Sequence, residues 1–238
     1  MTEELFRTDS YLKDCTAIVV SAGPEGIVLD RTVFYPMGGG QPGDSGELRL
    51  ADGRTLRIAD TRKGETGILH VPEEPEAASA LAPGDAVTAV LDWERRHRHM
   101  RMHTALHLMC ASVPGDVTGG QVAADKGRLD FDLPEVTFTK EELAEKLNAL
   151  IAADHPVSAR WITDAEMAAQ PELVRTLSVK PPMGAGTVRL ISVAGDAVDL
   201  QPCGGTHVAR TGEIGKLAVA KIENKGKQNR RITIAFAE

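Results

Sequence analysis

WERRHRHMRMHTALHLMCAS, residues 93–112, contains neither glycine nor proline, and its reading decides the fold. Asp92 just before it supplies a side-chain oxygen for the first backbone N–H groups. A helix is therefore expected from here to Pro114. Its first half is basic and its second apolar, as in a helix that leaves the surface and enters a core. His103 and His107 stand four apart, which puts both rings on one helical face about one turn from each other.

Upstream the period is different. TAIVV (16–20), GIVLD (26–30), GELRL (46–50), TLRIAD (55–60), GILHV (67–71) and AVTAVLD (86–92) are short β-type runs. Glycine, proline and Asp-Gly pairs such as Asp52-Gly53 separate them. Strands at this spacing predict a small barrel over residues 1–92. Residues 72–83 read as a solvated loop. Downstream, Thr139-Lys140-Glu141-Glu142 is a capping box opening the helix EELAEKLNALIAA (141–153). VSARWIT (157–163), TVRLISV (187–193), AVDL (197–200), KLAVAKI (216–222) and RITIAFA (231–237) follow as strands. The basic stretch ENKGKQNR (223–230) is expected to be a hairpin loop. Helices and strands mix without regular alternation. The chain is thus expected to be α+β, an N-terminal barrel followed by an α+β domain over 93–238.

Composition narrows the function classes. The 238 residues are 42% apolar and 26% charged, close to a globular average and unlike a disordered or fibrous chain. No apolar run approaches the roughly 20 residues of a membrane span. The opening MTEELFRTDS has no basic, then apolar, leader pattern. Three cysteines (Cys15, Cys110, Cys203) do not make a disulfide framework, so a reducing cytoplasm is expected and no membrane partner. A net charge of −7 disfavours a general nucleic-acid binder but leaves room for local basic patches. RRHRHMR (95–101), which includes Arg98, and KIENKGKQNRR (221–231) are two such patches; either one is also at home as a solvated face.

Far from the helix, Cys203-Gly204-Gly205-Thr206-His207 offers a thiolate and a third imidazole across a turn that glycines allow to bend tightly. Single histidines and cysteines are often core residues. Here, however, four of the ten Cys and His residues fall into two tight pairs. Three nitrogens and one sulfur from His103, His107, Cys203 and His207 suit one tetrahedral Zn2+ per chain. Four protein ligands suit a closed structural zinc, and an opened position a catalytic one. His99 is expected to face RNA or solvent, and Cys110 to sit in the core. A zinc protease is disfavoured because Thr104, not glutamate, follows His103.

The other unusual segment is Tyr-Pro-Met-Gly-Gly-Gly-Gln-Pro-Gly-Asp-Ser-Gly, residues 35–46. It reads either as an elaborate barrel turn or as a loop whose backbone approaches a ligand, with Gln41 and Asp44 as recognition groups. It lacks the Gly-Lys-Ser/Thr ending of a phosphate-binding loop.

FYPMGGGQPGDSG (34–46), RMHTALHLM (101–109), DLQPCGGTHVARTGEIG (199–215) and KGKQNRRI (225–232) together resemble the stand-alone alanyl-tRNA editing proteins, the AlaX family, of medium length. They also resemble the editing domain of alanyl-tRNA synthetase. The resemblance covers about residues 6–237. It implies hydrolysis of serine, and of glycine, wrongly esterified to the tRNA for alanine, with that tRNA as partner and no protein partner. It implies zinc ligands at His103, His107, Cys203 and His207, which with Gln41 form the catalytic set. It places Gly38, Gly39, Gly40, Gln41, Asp44 and Thr206 at the substrate, and Arg98, Lys225, Lys227, Arg230 and Arg231 at the tRNA. Two other classes stay in view: a zinc-stabilised RNA-binding module without chemistry, and a general zinc hydrolase acting on a small ester or amide.

Overall fold

In β2 (Asp14–Gly23) Ala17 and Val19 point inward while Thr16, Ile18 and Val20 point outward, the period of two that a half-buried strand requires. The computed structural model, which describes residues 2–176 and 186–237, sets this strand in a closed sheet. Before it come β1 (Glu3–Glu4) and α1 (Leu5–Thr8). After β2 come β3 (Gly26–Leu29), β4 (Arg31–Thr32), β5 (Gly46–Leu50), β6 (Thr55–Lys63), β7 (Ile68–Pro72) and β8 (Ala86–Leu91). The barrel closes in the order β2-β3-β7-β6-β5-β8, with antiparallel neighbours throughout. Val19, Ile27, Leu29, Phe34, Leu48, Ile58 and Ala89 fill it. The six strands expected from sequence are those six.

Residues 72–83 are not simply a solvated loop. Pro75–Ala80 forms a 3-10 helix, and Ala78 and Leu81 join the barrel core. Two apolar residues three apart fall on one side of such a turn. The glycine-rich segment is explained at particular positions. Gly39 and Gly40 have φ of 57° and 84°, the left-handed region. A Cβ on Gly43 would lie 2.1 Å from the Thr61 carbonyl oxygen, and one on Gly46 would lie 2.2 Å from that of Val90.

Residue contacts group the chain into two compact units, Met1–His97 and Arg98–Glu238. The helix α2 (Trp93–Ser112) begins in the first. Its N-terminus is capped as expected, the Arg95 N–H donating to Asp92 Oδ1 at 3.2 Å. The second unit adds β9 (Asp116–Val122), β10 (Lys126–Asp132), α3 (Lys140–Ala152), β11 (Val157–Thr163), α4 (Asp164–Ala168), β12 (Thr187–Val193), β13 (Asp199–Pro202), β14 (Leu217–Asn224) and β15 (Asn229–Phe236). They form a four-stranded sheet, β14-β15-β10-β9, and a three-stranded one, β11-β12-β13. The Thr139–Glu142 capping box opens α3, whose Leu143, Leu147 and Ile151 are buried. Among the described residues no helix is long and apolar enough to cross a membrane.

Candidate metal centre

The helix α2 turns His103 and His107 into the interior, with ring centres 5.4 Å apart. The turn after β13 brings Cys203 and His207 to the same point. Its backbone is tied down by Arg189, which donates from Nη1 to the carbonyls of Cys203 (3.1 Å) and Gly205 (2.8 Å). The Gly205 N–H points at Cys203 Sγ, 3.4 Å away. That sulfur lies 3.5 Å from His103 Nε2 and 3.3 Å from His207 Nε2. All four donor atoms lie within 4.8 Å of one another.

Tetrahedral zinc with ordinary bond lengths sets neighbouring nitrogen and sulfur ligands about 3.3–3.6 Å apart. The two sulfur–nitrogen distances meet that requirement, so donor set and spacing both fit a single metal ion. Electrostatics agree for two members. Burial opposes charge on Cys203, but the His103 and His207 rings beside it hold its thiol well below the usual range. Burial and neighbouring His103 hold His207 well below the usual imidazole value. Thiolate and neutral imidazole are the ligating forms. Burial also opposes charge on His107, yet the Asp199 carboxylate and the Cys203 sulfur raise it to about 10. A cation entering there has a proton to displace.

Two partners around the cluster stand outside the sequence expectations. His107 Nδ1 lies 2.8 Å from Asp199 Oδ2, which also accepts from Gln201 Nε2 at 2.9 Å. His207 Nδ1 lies 3.1 Å from the fully buried Thr104 Oγ1. Asp199 and Gln201 left one signal in the sequence: two polar residues on the same face of a short strand, just ahead of the Cys203 turn.

The glycine-rich loop and Gln41 belong to the first unit, and the four ligands to the second. Gln41 is fully buried rather than facing solvent, with its backbone paired to Gly38 in both directions. Asp44, expected among the recognition groups, has its carboxylate engaged elsewhere. It accepts from Arg96 Nε (2.9 Å), from Arg96 Nη2 and from the Tyr35 N–H (2.6 Å). Arg96 also donates to the Ser10 and Val33 carbonyls, at 3.1 and 2.7 Å. This overturns the reading of RRHRHMR as one solvated patch: Arg96 is fully buried, and so is His99, which was expected at the surface. Arg98 is exposed and Thr206 is buried. Cys110 is a core residue, its thiol pushed up to about 11 chiefly by burial.

The basic stretch before the C-terminus forms the hairpin between β14 and β15. Lys225 and Lys227 are exposed. Arg230 is folded back onto the loop, donating to Asn224 Oδ1 (3.0 Å), to the Gly226 carbonyl (2.7 Å) and to that of Pro134. Arg231 grips Asp130 with two bonds of 2.7 and 2.8 Å.

A closed barrel in one unit, and an α+β unit built around a buried three-histidine, one-cysteine cluster, define the class. Residues 188–233 match the family model of the threonyl and alanyl tRNA synthetase second additional domain. Residues 8–95 match that of class II (A) tRNA synthetases. The chain is 38% identical to the alanyl-tRNA editing protein AlaX-M of Methanosarcina acetivorans, covering 98% of each chain. It is 34% identical to the protein of the same name from Saccharolobus solfataricus, again over 98% of each. With the alanine–tRNA ligase of Metallosphaera sedula it shares 34% identity, covering 93% of this chain and 25% of that one. The chain belongs to the AlaX-M family of alanyl-tRNA editing proteins.

Proposed function

We propose that the protein is a deacylase that hydrolyses serine, and also glycine, from the 3′ adenosine of the tRNA for alanine, acting on tRNA already released by the synthetase. The observation that carries this reading is the convergence of His103, His107, Cys203 and His207 in a chain of this family. The need for such an activity is physical. A pocket shaped for alanine cannot exclude glycine, which is smaller, nor strongly reject serine, which adds only a hydroxyl. A second, hydrolytic site corrects both.

In the reaction, water adds to the ester carbonyl carbon, the bond to the ribose oxygen breaks, and that oxygen takes a proton. His103, His107, Cys203 and His207 hold one Zn2+ in this reading. Zinc bound there supplies a fixed positive charge for polarising the ester or a water molecule, and keeps the pocket in shape. Gln41 offers an amide that both donates and accepts, which suits the amino acid's hydroxyl or amino group, or the ribose. Gly38, Gly39, Gly40 and Thr206 are further substrate-binding residues in this reading. Arg98, Lys225 and Lys227 supply exposed positive charge for tRNA phosphates. Arg230 and Arg231, bound to the loop and to Asp130, serve there mainly by holding the hairpin's form.

The test is incubation of the protein with seryl-, glycyl- and alanyl-tRNA, following release of amino acid. Release from the first two and sparing of the third is the expected result. Equal rates on seryl- and alanyl-tRNA overturn the editing reading. Binding without any hydrolysis points instead to an RNA-binding module, and hydrolysis of small free esters at the same rate points to a general hydrolase.

A further inference from the structure

Thr104 has one hydroxyl proton and two lone pairs, and the structure accounts for all three. Its oxygen lies 3.0 Å from the Met100 carbonyl one turn earlier on α2, which can only accept, so the proton goes there. What remains can only accept. One lone pair takes the Val208 N–H at 3.3 Å, and the other faces His207 Nδ1 at 3.1 Å. A proton must therefore sit on His207 Nδ1. The opposite nitrogen, Nε2, is the one 3.3 Å from Cys203 Sγ. Asp199 does the same for a second ring. Its carboxylate accepts at 2.8 Å from His107 Nδ1, and both side chains are almost fully buried.

We infer that Thr104 and Asp199 are positioning residues for the metal centre, each holding the proton of one ligand histidine on Nδ1 so that Nε2 presents its lone pair to the ion. The inference rests on the reading of the four-residue cluster as a metal site. It gives Thr104 a purpose at the position where a zinc protease carries its general base. Here the residue after the first histidine serves the ring of a remote ligand instead of a water molecule. It also ties the two halves of the ligand set together, since Thr104 is the neighbour of His103 and the hydrogen-bond partner of His207. Outer partners of this kind set ring orientation and ligand basicity, and their loss costs about 10- to 100-fold in metal affinity.

The experiment uses the full chain labelled with 15N-histidine, both metal-free and zinc-loaded. Zinc affinity is read by competition with a chelator, and the protonated ring nitrogen by 1H–15N correlation. Thr104→Val keeps the shape and removes the acceptor. It should weaken zinc binding about 10- to 100-fold and, in the metal-free protein, release the His207 proton from its fixed place on Nδ1. Thr104→Ser, which keeps the oxygen, should restore both. Asp199→Asn should weaken zinc binding and disturb His107 while leaving the His207 signal as in the wild type. Wild-type affinity and an unchanged His207 proton in metal-free Thr104→Val overturn the inference. If even the wild type takes up no zinc, the metal reading fails. The His207 proton in the metal-free protein then decides the positioning claim separately: on Nδ1 upholds it, and on Nε2 overturns it.

Discussion

His70 in the barrel and His107 in the second unit are both deeply buried, and their surroundings drive them in opposite directions. His70 Nδ1 meets the Ile27 carbonyl at 3.0 Å, which only accepts, so Nε2 is left to accept from the Thr32 hydroxyl at 2.7 Å. Both nitrogens are spent on neutral groups, and burial lowers the ring's pKa to about 4. His107 suffers the same burial, but Asp199 and Cys203 raise it to about 10. The first unit likewise closes Arg96 and Asp44 on each other. The second spends one nitrogen each of His107 and His207 on the protein and leaves the other facing Cys203. A ligand is thus marked by what its protein partners leave over, and burial alone does not mark it.

The strongest way to break this comparison is at the sulfur. Cys203→Ala should lose its zinc in a chelator wash that leaves the wild type loaded, the largest effect expected because structural zinc contributes on the order of 10–16 kcal/mol. Cys110→Ala, in the core, should keep its zinc and cost about 1 kcal/mol of stability. Elemental analysis distinguishes the two, and equal zinc content in both variants would remove Cys203 from the ligand set.

Next in size is the closed pair of the first unit. Arg96→Met strands the Asp44 carboxylate away from water and should cost about 3–5 kcal/mol in urea denaturation. Asp44→Asn in the same chain should recover part of it. A loss under 1 kcal/mol would mean that Asp44 finds water.

His70 predicts an acid effect of known sign. Below about pH 6.5 the unfolded ring takes a proton, while the folded one stays neutral down to about pH 4. The unfolded state binds more protons in that window, so stability is full above pH 6.5 and falls by about 3 kcal/mol as pH drops to 4. His70→Leu should flatten the profile of unfolding free energy against pH in that range. An unchanged slope would assign the acid sensitivity to other groups.

The smallest effect sharpens the picture on the side of Asp199. Ala194, in the turn between β12 and β13, has φ of 58°. Ala194→Gly should relieve this and raise stability by about 0.5 kcal/mol, visible as a small rise in melting temperature. A fall would mean that the loss of chain stiffness outweighs the relief.

Much of this was legible in the sequence where the signal is local. Short β-type runs set off by glycine, proline and Asp-Gly pairs marked the barrel strands, the Thr139–Glu142 pair opened α3, and the spacing of His103 and His107 put two rings on one face. Pairings set by tertiary structure were not legible. Nothing near Asp44 announces Arg96, 52 residues on, and an arginine in a basic run carries no mark that says it is buried. His99 was misplaced for the same reason. The strands β9 and β10 escaped because Gly119-Gly120 and alternating charges blur the apolar pattern, although Gly120 pairs with Leu129 in the sheet. The capping box of Thr163 and Glu166 was as legible as that of α3, but it opens only the short α4.

Closure of the barrel has one more consequence. Its six strands all lie between Asp14 and Leu91, and each has a partner on both sides. An open sheet ends in unpaired amides and carbonyls onto which a stranger's strand can grow. A ring of strands offers no such seam, so a neighbouring sequence finds no edge here onto which to add a strand. That is the property of a genetic cassette. It suits a chain that aligns over almost its whole length with AlaX-M proteins and also with a quarter of a much longer ligase.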